Sequence, residues 1–210
     1  MIEYNRFRYL YPPRPEVKSP ASSIPTFEKM GLWAQPKLNG SCALIFTDGS
    51  QAIIMNRHNE LFKRELITRE DMLSIHRGSG WMVLVGELMN KSQKDENDQI
   101  FNEKFVIFDI LVYDSQYLTH TTFEERLNVL NSLYESHPDR LGVRKINEKF
   151  YIAEVFKKNL LSHWHHLVNI HMHEGLVLKK PNAKLSTGYV EKNNTTWQVK
   201  IRKSTKNYSY

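Results

Sequence analysis

The sequence reads as an α+β fold, and three observations predict it. Strand-type apolar runs and helical patterns alternate irregularly along the chain, which argues against a doubly wound parallel sheet. The runs Trp81 to Met89 and Phe105 to Val112 are almost wholly apolar, each interrupted by one carboxylate, Glu87 or Asp109. Two helix starts carry capping-box patterns, Thr68-Arg-Glu-Asp71 and Thr122-Phe-Glu-Glu125. At 210 residues there is material for one full hydrophobic core but little for two enzymatic domains, so one compact domain is expected.

Taken in order, residues 1–24 read as an extended N-terminal arm, because aromatic and arginine residues (Tyr4, Arg6, Phe7, Arg8, Tyr9, Tyr11, Arg14) run into Pro12-Pro13, Pro15 and Pro20. Such side chains can stack on bases and pair with phosphates, or pack on a core. Residues 25–210 form the domain proper. Pro25 to Gly31 is a short helical lead-in. Leu32-Trp33 and Ala43 to Phe46 flank Lys37-Leu-Asn-Gly40, which predicts strand, turn, strand with Lys37 at the turn. Gly40 allows close backbone approach there.

Thr47-Asp-Gly-Ser50 is a hairpin signal before the strand Gln51 to Asn56, and Arg57 follows it. The first capping box opens a helix to about Arg77, closed by Gly78 and Gly80. Glu87 then sits in a buried-type strand, where a carboxylate is costly unless paired. Lys91 to Asn102 reads as a polar loop. The second capping box starts a helix reaching about Ser136, with Phe123, Leu127 and Leu130 on one face.

Phe150 to Phe156 is a further strand. Leu160 to His173 reads as a helix rich in histidine. No cysteine lies near it and the spacing matches no zinc motif, so a partly exposed helix is the expectation. Glu174 to Lys180 is a strand that begins with a carboxylate and a glycine. In the last strand, Thr195 to Arg202, the period of two puts Lys200 and Arg202 on one face.

The net charge of +6 is localised. Residues 179–206 hold eight bases against Glu191, leaving 21 bases and 22 acids elsewhere. Such a tract is either a solvated tail or a footprint for phosphate-rich partners, nucleic acid first. No run approaches the roughly 18 apolar residues of a membrane span, and the polar start Met1-Ile-Glu-Tyr-Asn-Arg6 has no signal core. A single cysteine, Cys42, fits a reducing cytoplasm.

The polar residues left over form one chemical set. Lys37 is a candidate nucleophile, Lys200 and Arg202 are paired cations, Arg57 sits at a strand end, and Glu87, Asp109 and Glu174 are strand carboxylates. Cations and a divalent metal are what a transferring phosphoryl group requires. With these residues in this order, the chain resembles the covalent nucleotidyltransferase superfamily, the ATP-dependent DNA and RNA ligases and the mRNA capping enzymes. The motifs are Lys37-Leu-Asn-Gly40, Asn56-Arg57, Leu84-Val-Gly-Glu-Leu88, Phe105-Val-Ile-Phe-Asp-Ile110, Glu174-Gly-Leu-Val-Leu-Lys179 and Trp197-Gln-Val-Lys-Ile-Arg202.

The resemblance implies an ATP-grasp-like nucleotidyltransferase (adenylation) domain, two antiparallel sheets with flanking helices around an ATP cleft. Lys37 would attack the α-phosphate of ATP to give lysyl-AMP, with Lys200 and Arg202 holding that phosphate. Arg57 would contact the nucleotide, Glu87 the ribose, Phe108 the adenine face, Gln35 the base edge and Lys179 a further phosphate. Glu174 would bind the metal, Mg2+ or Mn2+. Asn39, Cys42 and Arg202 depart from the residues usual at their positions.

The implied activity is ATP-dependent ligation of DNA or RNA strand ends, a 3′-hydroxyl to a 5′-phosphate, in a minimal form without the oligonucleotide-binding barrel. A separate nucleic-acid-binding protein could then supply the missing grip. A capping-type guanylyltransferase and a non-catalytic nucleic-acid-binding module are the alternatives.

Overall fold

The computed structural model describes residues 12–187 and 190–203, without the side chain of Glu191. Tyr4, Arg6, Phe7, Arg8, Tyr9, Tyr11 and Lys206 therefore lie outside the described residues. The described chain opens with β1 (Val17–Lys18), then α1 (Ile24–Lys29), with Pro25 in its first turn where a missing N–H costs nothing. β2 (Trp33–Leu38) and β3 (Ser41–Thr47) follow. Lys37 lies within β2 rather than at the turn, because pairing continues through Leu38 and the chain reverses at Asn39-Gly40.

Next come β4 (Ala52–Asn56), α2 (Arg69–Ser74) and β5 (Met82–Leu88). The expected polar loop contains a small hairpin, β6 (Gln93–Lys94) and β7 (Ile100–Phe101). β8 (Phe105–Tyr113), β9 (Gln116–Tyr117) and α3 (Phe123–Leu133) follow. Both capping boxes form: the hydroxyls of Thr68 and Thr122 each accept from the backbone three residues on, and Asp71 and Glu125 reach back.

Two short strands with no clear apolar pattern, β10 (His137–Arg140) and β11 (Val143–Lys145), precede β12 (Phe150–Ala153). α4 (Leu160–Leu167) is shorter than the histidine-rich stretch, and His173 begins β13 (His173–Lys179) instead. The Glu28 carboxylate accepts from the N–H groups of Asn159 and Leu160 at 2.7 and 3.0 Å, so a side chain near the end of α1 caps the start of α4. β14 (Gln198–Arg202) is the last strand.

Two sheets carry the fold. The smaller has the order β1-β14-β13-β2; the larger runs β10-β11-β12-β8-β5-β3-β4, with β9 beside β8. Both are antiparallel apart from two parallel pairings, β1 with β14 and β12 with β8. One face of the larger sheet packs Ala43, Ile45, Leu84 and Ile107 against Met72 of α2 and Leu130 of α3. The other buries Leu44, Phe46, Val83, Val85 and Leu111, so both faces are covered and the strands read as continuous apolar runs. The smaller sheet packs Ala34, Leu176, Leu178 and Ile201 on Ile24 of α1 and Trp164 of α4. Among the described residues no helix is long and apolar enough to cross a membrane.

Candidate active site

A cleft of about 630 Å³ opens where the two sheets face each other, within the size range of a small-molecule site. All nine sequence-selected site residues, Gln35, Lys37, Arg57, Glu87, Phe108, Glu174, Lys179, Lys200 and Arg202, line it. Strand register explains the smaller sheet's share. Lys37 pairs with Gly175 and Gly175 with Arg202; one step along, Gln35 pairs with Val177 and Val177 with Lys200; one further, Trp33 pairs with Lys179 and Lys179 with Gln198. By the period of two, these rows share one face.

Glu174 precedes Gly175 at a register shift and reaches into the first row. Its Oε2 accepts from Lys37 Nζ at 2.5 Å and from Arg202 at 2.7 Å. Burial would raise this carboxyl, but Lys37 and then Arg202 hold it below the usual range. Gly175 has φ +144°, and a Cβ there would stand 2.0 Å from the Ile201 carbonyl oxygen. No other residue type lets β13 lie this close to β14.

Across the cleft, Glu87 on β5 sits opposite Cys42 on β3. Its Oε1 accepts from the Gly40 N–H at 3.0 Å. A Cβ at Gly40 would stand 2.4 Å from the Leu88 carbonyl oxygen, so the glycine brings that N–H within reach. Burial raises Glu87 to about 7, against the opposing pull of Lys37 and the Gly40 N–H. The Cys42 thiol is pushed up to about 12, by burial first and then by Glu87, and is neutral. Phe108 falls at a register shift of β8 against β5, between Ile107 and Asp109. A bulge re-aims a side chain, and here the aromatic ring joins the cleft wall.

Two expectations change. Lys179, expected at a phosphate, is a buried ammonium whose Nζ donates to Gln35 Oε1 at 2.6 Å and lies 4.5 Å from the Phe123 ring centroid and 5.2 Å from that of Phe108. It therefore stands beside the aromatic, away from the Lys37–Glu174–Arg202 cluster. Burial lowers it to about 8, with Asp109 opposing. Gln35 Nε2 donates to the Phe108 carbonyl at 3.2 Å, so the amide is held at both ends. Asp109 is no cleft carboxylate: it is buried and takes two bonds from Arg126, at 2.7 and 3.1 Å.

The sequence assigns Pro13, Arg14 and Pro15 to an arm outside the domain, whereas with Glu16 they form a wall of the cleft. Its proline spacing was the available signal, pointing to a fixed path. Cys42, Asn56, His58 and Phe62 also line the cleft.

The family model for the ATP-dependent DNA ligase domain matches residues 15–200. The chain belongs to this family. Its fold is similar to that of mycobacterial DNA ligase D complexed with ATP and MES, with a TM-score of 0.56 at 17% identity over 81% of this chain and 54% of that one. For the ligase domain of M. tuberculosis LigD the values are 0.58 and 14% over 90% and 59%. For the bacteriophage T7 ATP-dependent DNA ligase in complex with ATP they are 0.52 and 13% over 89% and 67%. This ligase-family chain thus spans little more than half of the two mycobacterial chains. No curated protein sequence matches it.

A divalent ion suits the donor set in one way. Among the described residues no three His, Cys, Asp or Glu side chains gather to hold a metal alone. A hard cation here would take Glu174 together with phosphate oxygens and water, the usual manner of Mg2+ at a nucleotide.

Proposed function

We propose that this chain is the nucleotidyltransferase unit of an ATP-dependent polynucleotide ligase, with DNA ends as the substrate class that its family suggests. The observation that carries this reading is the arrangement around Lys37. Lys37 and Arg202 share the Glu174 carboxylate, Lys200 stands one row along on β14, and an aromatic ring and a fixed amide line the same cleft. Base at Phe108 and phosphates at Lys37 is the orientation that this polarity supports.

In the first step Lys37 Nζ attacks the α-phosphorus of ATP; the N–P bond forms, the bond to the β-phosphate oxygen breaks, and pyrophosphate leaves. The attack needs a free amine, so the Lys37 ammonium must pass a proton to the solvent of the open cleft and give up its bond to Glu174. Phosphate oxygens arriving at Lys200 and Arg202 are held for this attack by charge-assisted hydrogen bonds. A bound Mg2+ would supply charge neutralisation at the phosphates, with Glu174 as its protein ligand.

In the second step a 5′-phosphate oxygen attacks the same phosphorus, and the lysine leaves as AMP is transferred. In the third, a 3′-hydroxyl attacks the adenylated 5′-phosphate and AMP departs. Glu87 accepts from a ribose hydroxyl, Arg57 contacts nucleotide phosphate, and Gln35, held by Lys179, meets the base edge.

The test is mass spectrometry after incubation with ATP and magnesium. The wild type should gain one AMP; Lys37→Ala and Lys37→Arg should gain none, since a guanidinium stays protonated. Lys37→Ala should still seal a strand that already carries 5′-AMP. Adduct formation in either variant removes Lys37 as nucleophile, and labelling by GTP as strong as by ATP favours a capping-type enzyme.

A further inference from the structure

Pro13 to Glu16 form a strap along one edge of the cleft, and contacts within it and on its C-terminal side fix its path. On its C-terminal side, β1 runs parallel to β14 with Lys18 opposite Lys200, and the Ser19 N–H donates to the Lys200 carbonyl at 3.2 Å. Within the strap, the Pro15 carbonyl accepts from Lys200 Nζ at 3.2 Å. Pro12 and Pro13 are buried, and proline fixes φ.

Arg14 is therefore delivered to the cleft by a rigid segment. It lines the cleft together with Lys200 of the smaller sheet and Cys42 of the larger. Lys200 feels Lys18, Lys37 and Arg202, and after burial these cations hold its ammonium below the usual lysine value. Six cations line the cleft against three carboxylates, Glu16, Glu87 and Glu174, so its field favours an anionic ligand.

The order of groups says which anion part that is. Phe108 and Gln35 mark the base end, Lys37 faces the reacting phosphorus, and Lys200 and Arg202 stand on β14. Beyond β14 lies the strap. A chain of phosphates that starts at Lys37 and crosses Lys200 next meets Arg14.

We propose that Arg14 binds the outer phosphates of the nucleoside triphosphate. This rests on the ligase reading above, and it takes Arg14 away from any outer grip on the polynucleotide. A guanidinium suits this place because it bonds two phosphate oxygens at once.

Titration calorimetry tests it, with ATP and AMP as probes and Lys37→Ala as the background so that no turnover occurs. Adding Arg14→Ala should weaken ATP on the order of tenfold or more, while AMP binding changes by no more than about twofold. Arg14→Lys should recover part of the ATP affinity. Equal loss for ATP and AMP, or no loss for either, overturns the assignment; the first would make the strap a structural wall. If the wild type forms no AMP adduct, the ligase reading fails, but the contrast between ATP and AMP still decides the role of Arg14.

Discussion

Glu87 and Glu174 share one cleft, yet their surroundings drive them apart. Lys37 and Arg202 stabilise the charged form of Glu174, whereas burial favours the protonated form of Glu87 up to about 7. Between the ordinary glutamate value of 4.5 and about 7, Glu87 keeps its proton in the folded chain and loses it in the unfolded one. Its contribution to stability therefore falls as pH rises through that window. Glu87→Gln should remove this part of the pH dependence, measured by urea unfolding at about pH 5 and about pH 8. A ribose hydroxyl needs the carboxylate as acceptor, so ATP binding by the wild type should strengthen as pH rises through about 7. The gain should be smaller for 2′-deoxy-ATP and absent in Glu87→Gln. An unchanged ATP profile in the variant would contradict the ribose role. Glu87 and Glu174 were legible as charges in or beside apolar strand runs, whereas Gln35 and Phe108 were legible only through the resemblance. Their partners were not: Lys179 looks like an end-of-strand cation, and only the fold brings it to Gln35, 144 positions away.

Among the elements, α3 is tied to the larger sheet by a charge pair. Arg126 is fully buried on α3 and donates to Asp109 on β8 and to the Thr121 carbonyl at 2.9 Å. Removing one partner from such a pair leaves an unmatched buried charge, at a cost of about 3–5 kcal/mol. Arg126→Met should destabilise the chain by about that amount, and adding Asp109→Leu should recover most of the loss. Urea unfolding of both variants checks this; a double variant no more stable than the single one would show that the pair is not the cause. No sequence pattern announces it, because Arg126 sits among polar residues of a capped helix. The strands through the cleft were legible because both sheet faces are covered and the apolar runs are long. β10 and β11 were not, since His137-Pro-Asp-Arg140 and Val143-Arg-Lys145 form a half-exposed edge. The histidine helix is shorter than the pattern suggests because a helical pattern gives no sign that His173 is drawn off into β13. There the buried His173 ring bonds the Leu141 carbonyl at 2.9 Å.

For the molecule as a whole, the sequence places the excess positive charge at the C-terminal end, and the structure divides it. Lys179 is buried beside Phe108, Lys200 and Arg202 line the cleft, and Lys203 donates to the carbonyls of Val168 and Ile170. Lys180, Lys184 and Lys192 are exposed. A charge count merges two groups: Lys179, Lys200 and Arg202 line the cleft, and Lys180, Lys184 and Lys192 face solvent. Phosphate contacts from an exposed surface release counterions, so joining of a pre-adenylated nick should fall by an order of magnitude or more between about 50 and 200 mM salt if several phosphates are held. Lysyl-AMP formation should fall less, because its ligand is enclosed by the two sheets. Replacing Lys180, Lys184 and Lys192 together by alanine should flatten the log–log salt slope of joining by about 2–3, with adenylylation close to the wild type. A slope that stays as steep would move the strand grip to another surface. A parallel loss of adenylylation would show that these lysines serve the nucleotide cleft.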